Sequence, residues 1–263
     1  ELNRPEVAER VDQVMVIDAV RPAAVAPPKT PAPPADPAQF RELLSLAGWD
    51  AMRLSQLQQG DALSEKNRNE LAKLLWRLKT FDSPQLFDWT RIGNWLPYVA
   101  AEPADHAGKL VALEGHVTHV VRRALPADSA ARLEMPAYYE CAMTLNGDAG
   151  QATILTARVP KAWLEMQSLD EPATAAGVFI RLLSDDQQSP HGLFVSREIA
   201  WHPIAPNVPF VSLGKSTLGQ LGVDVGLLDL LRHRRSITSA EREAFYQMLG
   251  AAGRIGTNQL DRF

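Results

Sequence analysis

Leu71, Leu74, Leu75 and Leu78 recur at the three- and four-residue intervals of one helical face. Ser64 stands ahead of them, where its hydroxyl can accept an amide of the first turn. Phe40, Leu43, Leu44 and Ala47 have the same spacing and stop at Gly48, so residues 39–103 read as a helical segment. Trp76, Phe81, Phe87, Trp89 and Trp95 follow in a cluster, expected to pack the helices onto the next domain. From 104 to 203 the pattern becomes β-like, with runs at 109–122, 138–145, 152–159, 174–183 and 193–201. In the second run Tyr139, Cys141, Met143 and Leu145 share one face, against Tyr138, Glu140, Ala142 and Thr144. Asn146-Gly147 predicts a hairpin between the second and third runs. Pro160–Met166 predicts a short helix with proline at its first position. Residues 204–263 return to helix, with one over 223–234 and a second opened by a capping box at Thr238–Glu241 and ended by Gly253.

Residues 1–38 are different. A short amphipathic run at 7–20 leads into Arg21–Ala38, which holds seven of the nineteen prolines. Proline fixes φ and lacks an amide hydrogen, so this stretch predicts an extended Pro/Ala tether. The two helical segments also align without a gap, since Gly222 stands 174 positions after Gly48. At that offset Leu44, Asp50, Leu54, Leu57, Ser64 and Arg68 meet Leu218, Asp224, Leu228, Leu231, Thr238 and Arg242. Leu63, Leu71, Leu74 and Leu75 meet Ile237, Phe245, Met248 and Leu249. Duplication of a helical pair plus a β module would explain this, and a second β module would then begin near residue 263.

Three strands, a short helix and two strands follow one another in the order of the oligonucleotide/oligosaccharide-binding barrel, the OB-fold. Gly115, inside the long first run, fits a strand that bends to serve both halves of such a barrel. The phrase Gly108–Val117 resembles the first strand of many OB domains. This resemblance implies an α+β fold, a five-stranded antiparallel OB-like β-barrel flanked by helical pairs. The whole pattern is similar to that of bacterial exported or cell-envelope proteins with a Pro/Ala tether and paired modules. It therefore implies an envelope or periplasmic setting, with the cytoplasm as alternative. Any membrane attachment would come from a segment outside this chain.

A net charge of −4 gives no electrostatic footprint for nucleic acid. Residues 104–203 hold eight Lys/Arg against twelve Asp/Glu. A locally basic face of Arg122, Arg158 and Arg181, with Trp163, is the candidate binding face. The single cysteine, Cys141, excludes an internal disulfide and lies on an apolar strand face, as a core thiol does. Gly214-Lys215-Ser216 looks like the end of a P-loop, but Pro209 stands where the loop's first glycine belongs. Glu114, His116 and His119 offer two same-face ligands, with His119 opposite unless a bulge intervenes, too few for zinc. Glu140 and Asp148 read as strand and turn residues, and Arg232–Arg235 as cations at a helix end. No cofactor, metal or catalytic group is expected. The sequence points to a non-enzymatic binding or scaffold module with a protein partner. The alternatives are an OB-type nucleic-acid binder and an enzyme of unforeseen class.

Overall fold

The computed structural model describes residues 37–58, 63–81, 86, 90, 99, 101–148, 150–184, 190–206, 210–231 and 237–254. Contacts divide the chain into Glu1–Pro33 and Pro34–Phe263, and every described residue belongs to the second unit. The run at 7–20, nearly all of the tether, Phe87, Trp89, Trp95, Pro209 and Arg232–Arg235 lie outside the described residues.

Six strands form one mixed sheet: β1 Leu110–Ala124, β2 Ala137–Leu145, β3 Gln151–Thr156, β4 Glu171–Ser184, β5 His191–Ser196 and β6 Ala200–Trp201. The pairings run β1-β2-β3-β5-β4, and β4 pairs back to β1, so the hydrogen bonds ring through five strands. β6 pairs with β4 beyond the stretch used by β5. All five β-type runs became strands, but the expected all-antiparallel pairing did not, because β3 and β5 are parallel. β4 gives one edge to β1 and the other to β5, which leaves β5 facing β3 in the same direction.

β1 closes the ring because it has two partners. It pairs with β4 over Leu110–Val117 and with β2 over Gly115–Ala124, so the two registers overlap at Gly115. A Cβ there would sit 2.1 Å from the Thr144 carbonyl oxygen, and only glycine fits. Asn146 to Gly150 joins β2 to β3 as an antiparallel hairpin, with Gly147 at φ 69°. Between β3 and β4 lies a 3₁₀ helix, Lys161–Leu164, with Pro160 as its N-cap rather than its first residue.

Two apolar layers follow from the strand alternation. Val117, Cys141, Met143, Ile154, Phe179 and Phe194 belong to the layer enclosed by the ring. Tyr138, Leu155, Val178, Ile180, Leu193 and Val195 belong to the other layer, which meets the first helical segment. Among the described residues that segment includes α1 Pro37–Leu46, α2 Ala51–Gln56 and α3 Glu65–Leu78, so it is more than a pair. The leucine stripe of α3 is fully buried, and Ser64 caps the helix by accepting from the Asn67 amide. Trp76 and Phe81 pack on the same cluster. The β2 face bearing Tyr138 and Glu140 is therefore covered by protein at that end, with both residues buried. Glu140 accepts from Arg68 of α3 at 2.9 Å and from Arg123 of β1 at 2.8 Å, tying helix to ring. The short α4, Pro103–His106, precedes β1, and α5, Ala127–Leu133, lies between β1 and β2.

After the ring come α6 Leu213–Gln220, a 3₁₀ helix Val225–Leu230 and α7 Ser239–Arg254. The helix expected over 223–234 is this shorter 3₁₀ segment within the described residues, and α7 continues through Gly253. The three elements repeat the first three at the sequence offset. α1 ends at Leu46 and α6 at Gln220; α2 spans Ala51–Gln56 and its counterpart Val225–Leu230; α3 starts at Glu65 and α7 at Ser239. The backbone hydrogen bonds repeat too. Trp49 to Leu44, Leu57 to Leu54 and Arg68 to Ser64 have counterparts in Val223 to Leu218, Leu231 to Leu228 and Arg242 to Thr238, each amide donating to a carbonyl. Gly48 and Gly222 both turn the chain at positive φ, 85° and 79°, where a side chain would be strained.

Candidate functional site

Two surface features stand outside the core. The first is a cleft of about 820 Å³ between one end of the ring and the second helical triad. Arg122 comes from β1, Tyr139 from β2, Arg158 from the turn after β3 and Arg197 from the turn after β5. α7 contributes Arg242, Glu243 and Tyr246, and Lys79 stands at the end of α3. Five cations thus meet three carboxylates, Glu134, Glu198 and Glu243. Much of that positive charge is already engaged. Arg158 donates to Glu198 at 2.7 Å and lies 3.9 Å from Asp224, and Arg197 donates to the Phe81 carbonyl.

Of the candidate face, the cleft brings Arg122 and Arg158 together. Arg181 lies on β4 and donates to the Leu182 carbonyl, away from the cleft lining. Trp163 is buried in the enclosed layer, 6.1 Å from the Trp201 ring, with its indole N–H unpartnered among the described residues. Lys79, Arg197, Arg242 and the two tyrosines were not legible as one site, because they come from four separate segments, and only Arg242 and Tyr246 share a helix.

Asp224 sits beneath the cleft as the N-cap of the 3₁₀ helix. Its Oδ1 accepts from the Gly226 and Trp201 amides, each at 2.9 Å. Burial pushes its carboxyl up to about 6, against the opposing pull of the Trp201 amide and Arg158. A shifted carboxyl beside an arginine resembles acid–base machinery, but both acceptor bonds serve the fold.

The other sequence candidates are placed as follows. Cys141 is fully buried, and burial pushes its thiol well above its ordinary value. The register shift between Val117 and His119 supplies the bulge that brings His119 onto the face of His116. His116 then lies 3.1 Å from Asp170, and among the described residues no three His, Cys, Asp or Glu groups gather as a metal site. Gly214, Lys215 and Ser216 form the first turn of α6, where the Lys215 amide donates to the Ser212 hydroxyl. No helix among the described residues is long and apolar enough to cross a membrane.

The second feature is apolar. Ile237, Phe245 and Leu249 are 50%, 39% and 53% exposed, with Leu231 and Tyr246 beside them in sequence and equally open. The rings of Phe245 and Tyr246 lie 6.1 Å apart, tilted by 58°. The helical period of α7 brings 245 and 249 to one face, and the repeat alignment had already marked both positions. Against known proteins, the chain matches no family model, no curated protein and no solved structure.

Proposed function

We propose that the five-strand ring is an OB-like β-barrel, and that the chain is a non-enzymatic binding or scaffold module of the cell envelope. It acts through protein–protein contact. The strand order β1-β2-β3-β5-β4, the shared strand β1 and the short helix between β3 and β4 support the barrel reading. The Pro/Ala tether supports the envelope setting, where an extended arm holds a folded domain away from its attachment.

One observation carries the functional reading: the exposed apolar and aromatic face of α7, outside the ring. Water-exposed clusters of this kind mark contact surfaces, since covering them removes apolar area from water. A second reading, polyanion or single-strand binding in the cleft, draws on Arg122, Arg242 and the tyrosines Tyr139 and Tyr246. The internal pairing of Arg158 with Glu198 weighs against it.

The two are separated by mild extraction of the full-length protein from its own cells, followed by native sizing. Phe245→Ser with Leu249→Ser is expected to lower the size of the assembly, and Arg122→Ala to leave it unchanged. Salt-sensitive binding of a single-stranded oligonucleotide, lost in Arg122→Ala, with the assembly unaffected by the serine pair, would overturn the protein-binding reading.

A further inference from the structure

One surface is apolar and covered in the second triad but charged and uncovered in the first. Val225, Leu227, Ala244 and Ala251 are buried, and their counterparts in the first triad are Ala51, Arg53, Glu70 and Arg77, none of them buried. On that surface of the first triad, α2, α3 and α5 meet around a hollow of about 240 Å³. Trp49 and Trp76 supply indole walls, and Arg53, Lys73, Arg77 and Arg132 supply four cations. Among the described residues no carboxylate lines it.

The cations are partly fixed in advance. Glu70, outside the lining, accepts from Arg53 at 2.6 Å and from Lys73 at 2.5 Å. Burial raises the Glu70 carboxyl, but Lys73 and Arg53 outweigh burial and hold it below its ordinary value, so it stays ionised at neutral pH. Arg53 also donates to the Gly48 carbonyl at 3.1 Å and lies 4.4 Å over the Trp49 ring. Arg77 lies 4.8 Å over the Trp76 ring. One carboxylate thus serves two cations and leaves two. Arg77 has no ion pair among the described residues, and Arg132 donates to the Asp128 backbone carbonyl. Lys73 and Arg77 stand four positions apart on α3, a like-charge pair that costs helix stability. An anion in the hollow would offset that repulsion.

Size and charge narrow the ligand. A hollow of about 240 Å³ is smaller than the site of a drug-sized molecule, so it takes a single group. Four cations around one group favour a dianion over a carboxylate, and guanidinium forks match phosphate oxygens. We infer that this hollow is a phosphate site, taking free phosphate or the phosphate of a small monoester held against the indoles. It goes beyond the α7 contact surface and shares no residue with it, so the two readings stand or fall separately.

The test is an NMR titration of the chain at low salt, following the indole N–H signals, with inorganic phosphate and phenyl phosphate as probes. The Trp49 and Trp76 signals should shift and saturate with a Kd of about 1 mM or tighter, while that of buried Trp201 stays still. Tighter binding of phenyl phosphate identifies a monoester as the ligand, and equal binding identifies free phosphate. Arg77→Ala with Arg132→Ala should weaken binding at least about tenfold, and Lys66→Ala, elsewhere on α3, should leave it unchanged. Arg77 and Arg132 are exposed, so the thermal melt of the double variant should match wild type. If it does not, Arg132→Glu alone reads the same loss. The proposal is overturned if neither probe saturates the two signals, if binding survives the loss of both arginines, or if acetate binds as tightly as phosphate.

Discussion

The first and second helical triads share four helix boundaries, a glycine turn and several backbone hydrogen bonds, yet have nearly opposite surfaces. In the first, the leucines of α3 are buried, and on the face carrying Arg53, Glu70 and Arg77 the first two are half-buried and Arg77 is exposed. In the second, the α7 positions equivalent to those leucines are largely open, and small or aliphatic residues are buried where the first has charge. Local signals fix how a helix starts, turns and ends. Which of its faces is covered depends on where the rest of the chain packs.

The largest test of that contrast is a matched pair of truncations. Leu75→Ala is expected to destabilise the chain by about 2–5 kcal/mol, the range for leucines in a packed core. Leu249→Ala should stay within about 0.5 kcal/mol, as exposed substitutions do. Urea unfolding of the 263-residue chain measures both, and equal losses would break the comparison.

The two cap aspartates sharpen it. Asp50 is exposed and accepts from the Arg53 amide, so Asp50→Ala should cost about 1 kcal/mol. Asp224→Ala strands the Trp201 and Gly226 amides in the interior, at about 1–3 kcal/mol each. Asp224 also carries a pH signature. Its folded-state value, about 6, lies above the unfolded value of about 4, so the folded chain holds the proton more tightly. That contribution is fully present below about pH 4 and is lost as pH rises through about 6. Between those limits, wild type should lose stability relative to Asp224→Asn on the order of 3 kcal/mol, read from paired unfolding curves.

Where the backbones agree, the effects should agree. Gly48→Ala and Gly222→Ala each force a side chain into positive φ, and each should cost about 1 kcal/mol. Thermal melts that differ widely between them would argue against a shared turn. The smallest effect is electrostatic. Arg68→Ala should lose no more than about 1 kcal/mol, because Arg123 still pairs with Glu140, and Arg242→Ala almost nothing in this chain.

Much of the fold was legible. The period-two runs became strands, the leucine stripe became α3, and the offset alignment reappeared as matching helix ends. Gly115 was legible as a special position, and the structure adds the Thr144 carbonyl it must clear. The parallel β3–β5 pairing was missed, since strand pattern specifies faces and not neighbours. The cleft was half-seen, through Arg122 and Arg158. Its remaining cations are single residues on elements far apart in sequence, with no period to connect them.

What the sequence by itself determined is local and periodic: strand and helix runs, the turn at Gly48, the cap at Ser64, and the repeated helical plan. Those features depend on dihedral preference and hydrogen bonds between near neighbours. Only the tertiary structure decided which apolar face is covered, that Glu140 is buried between two arginines, and that α7 leaves a face open. Burial is a property of two surfaces together, and a single segment encodes only its own.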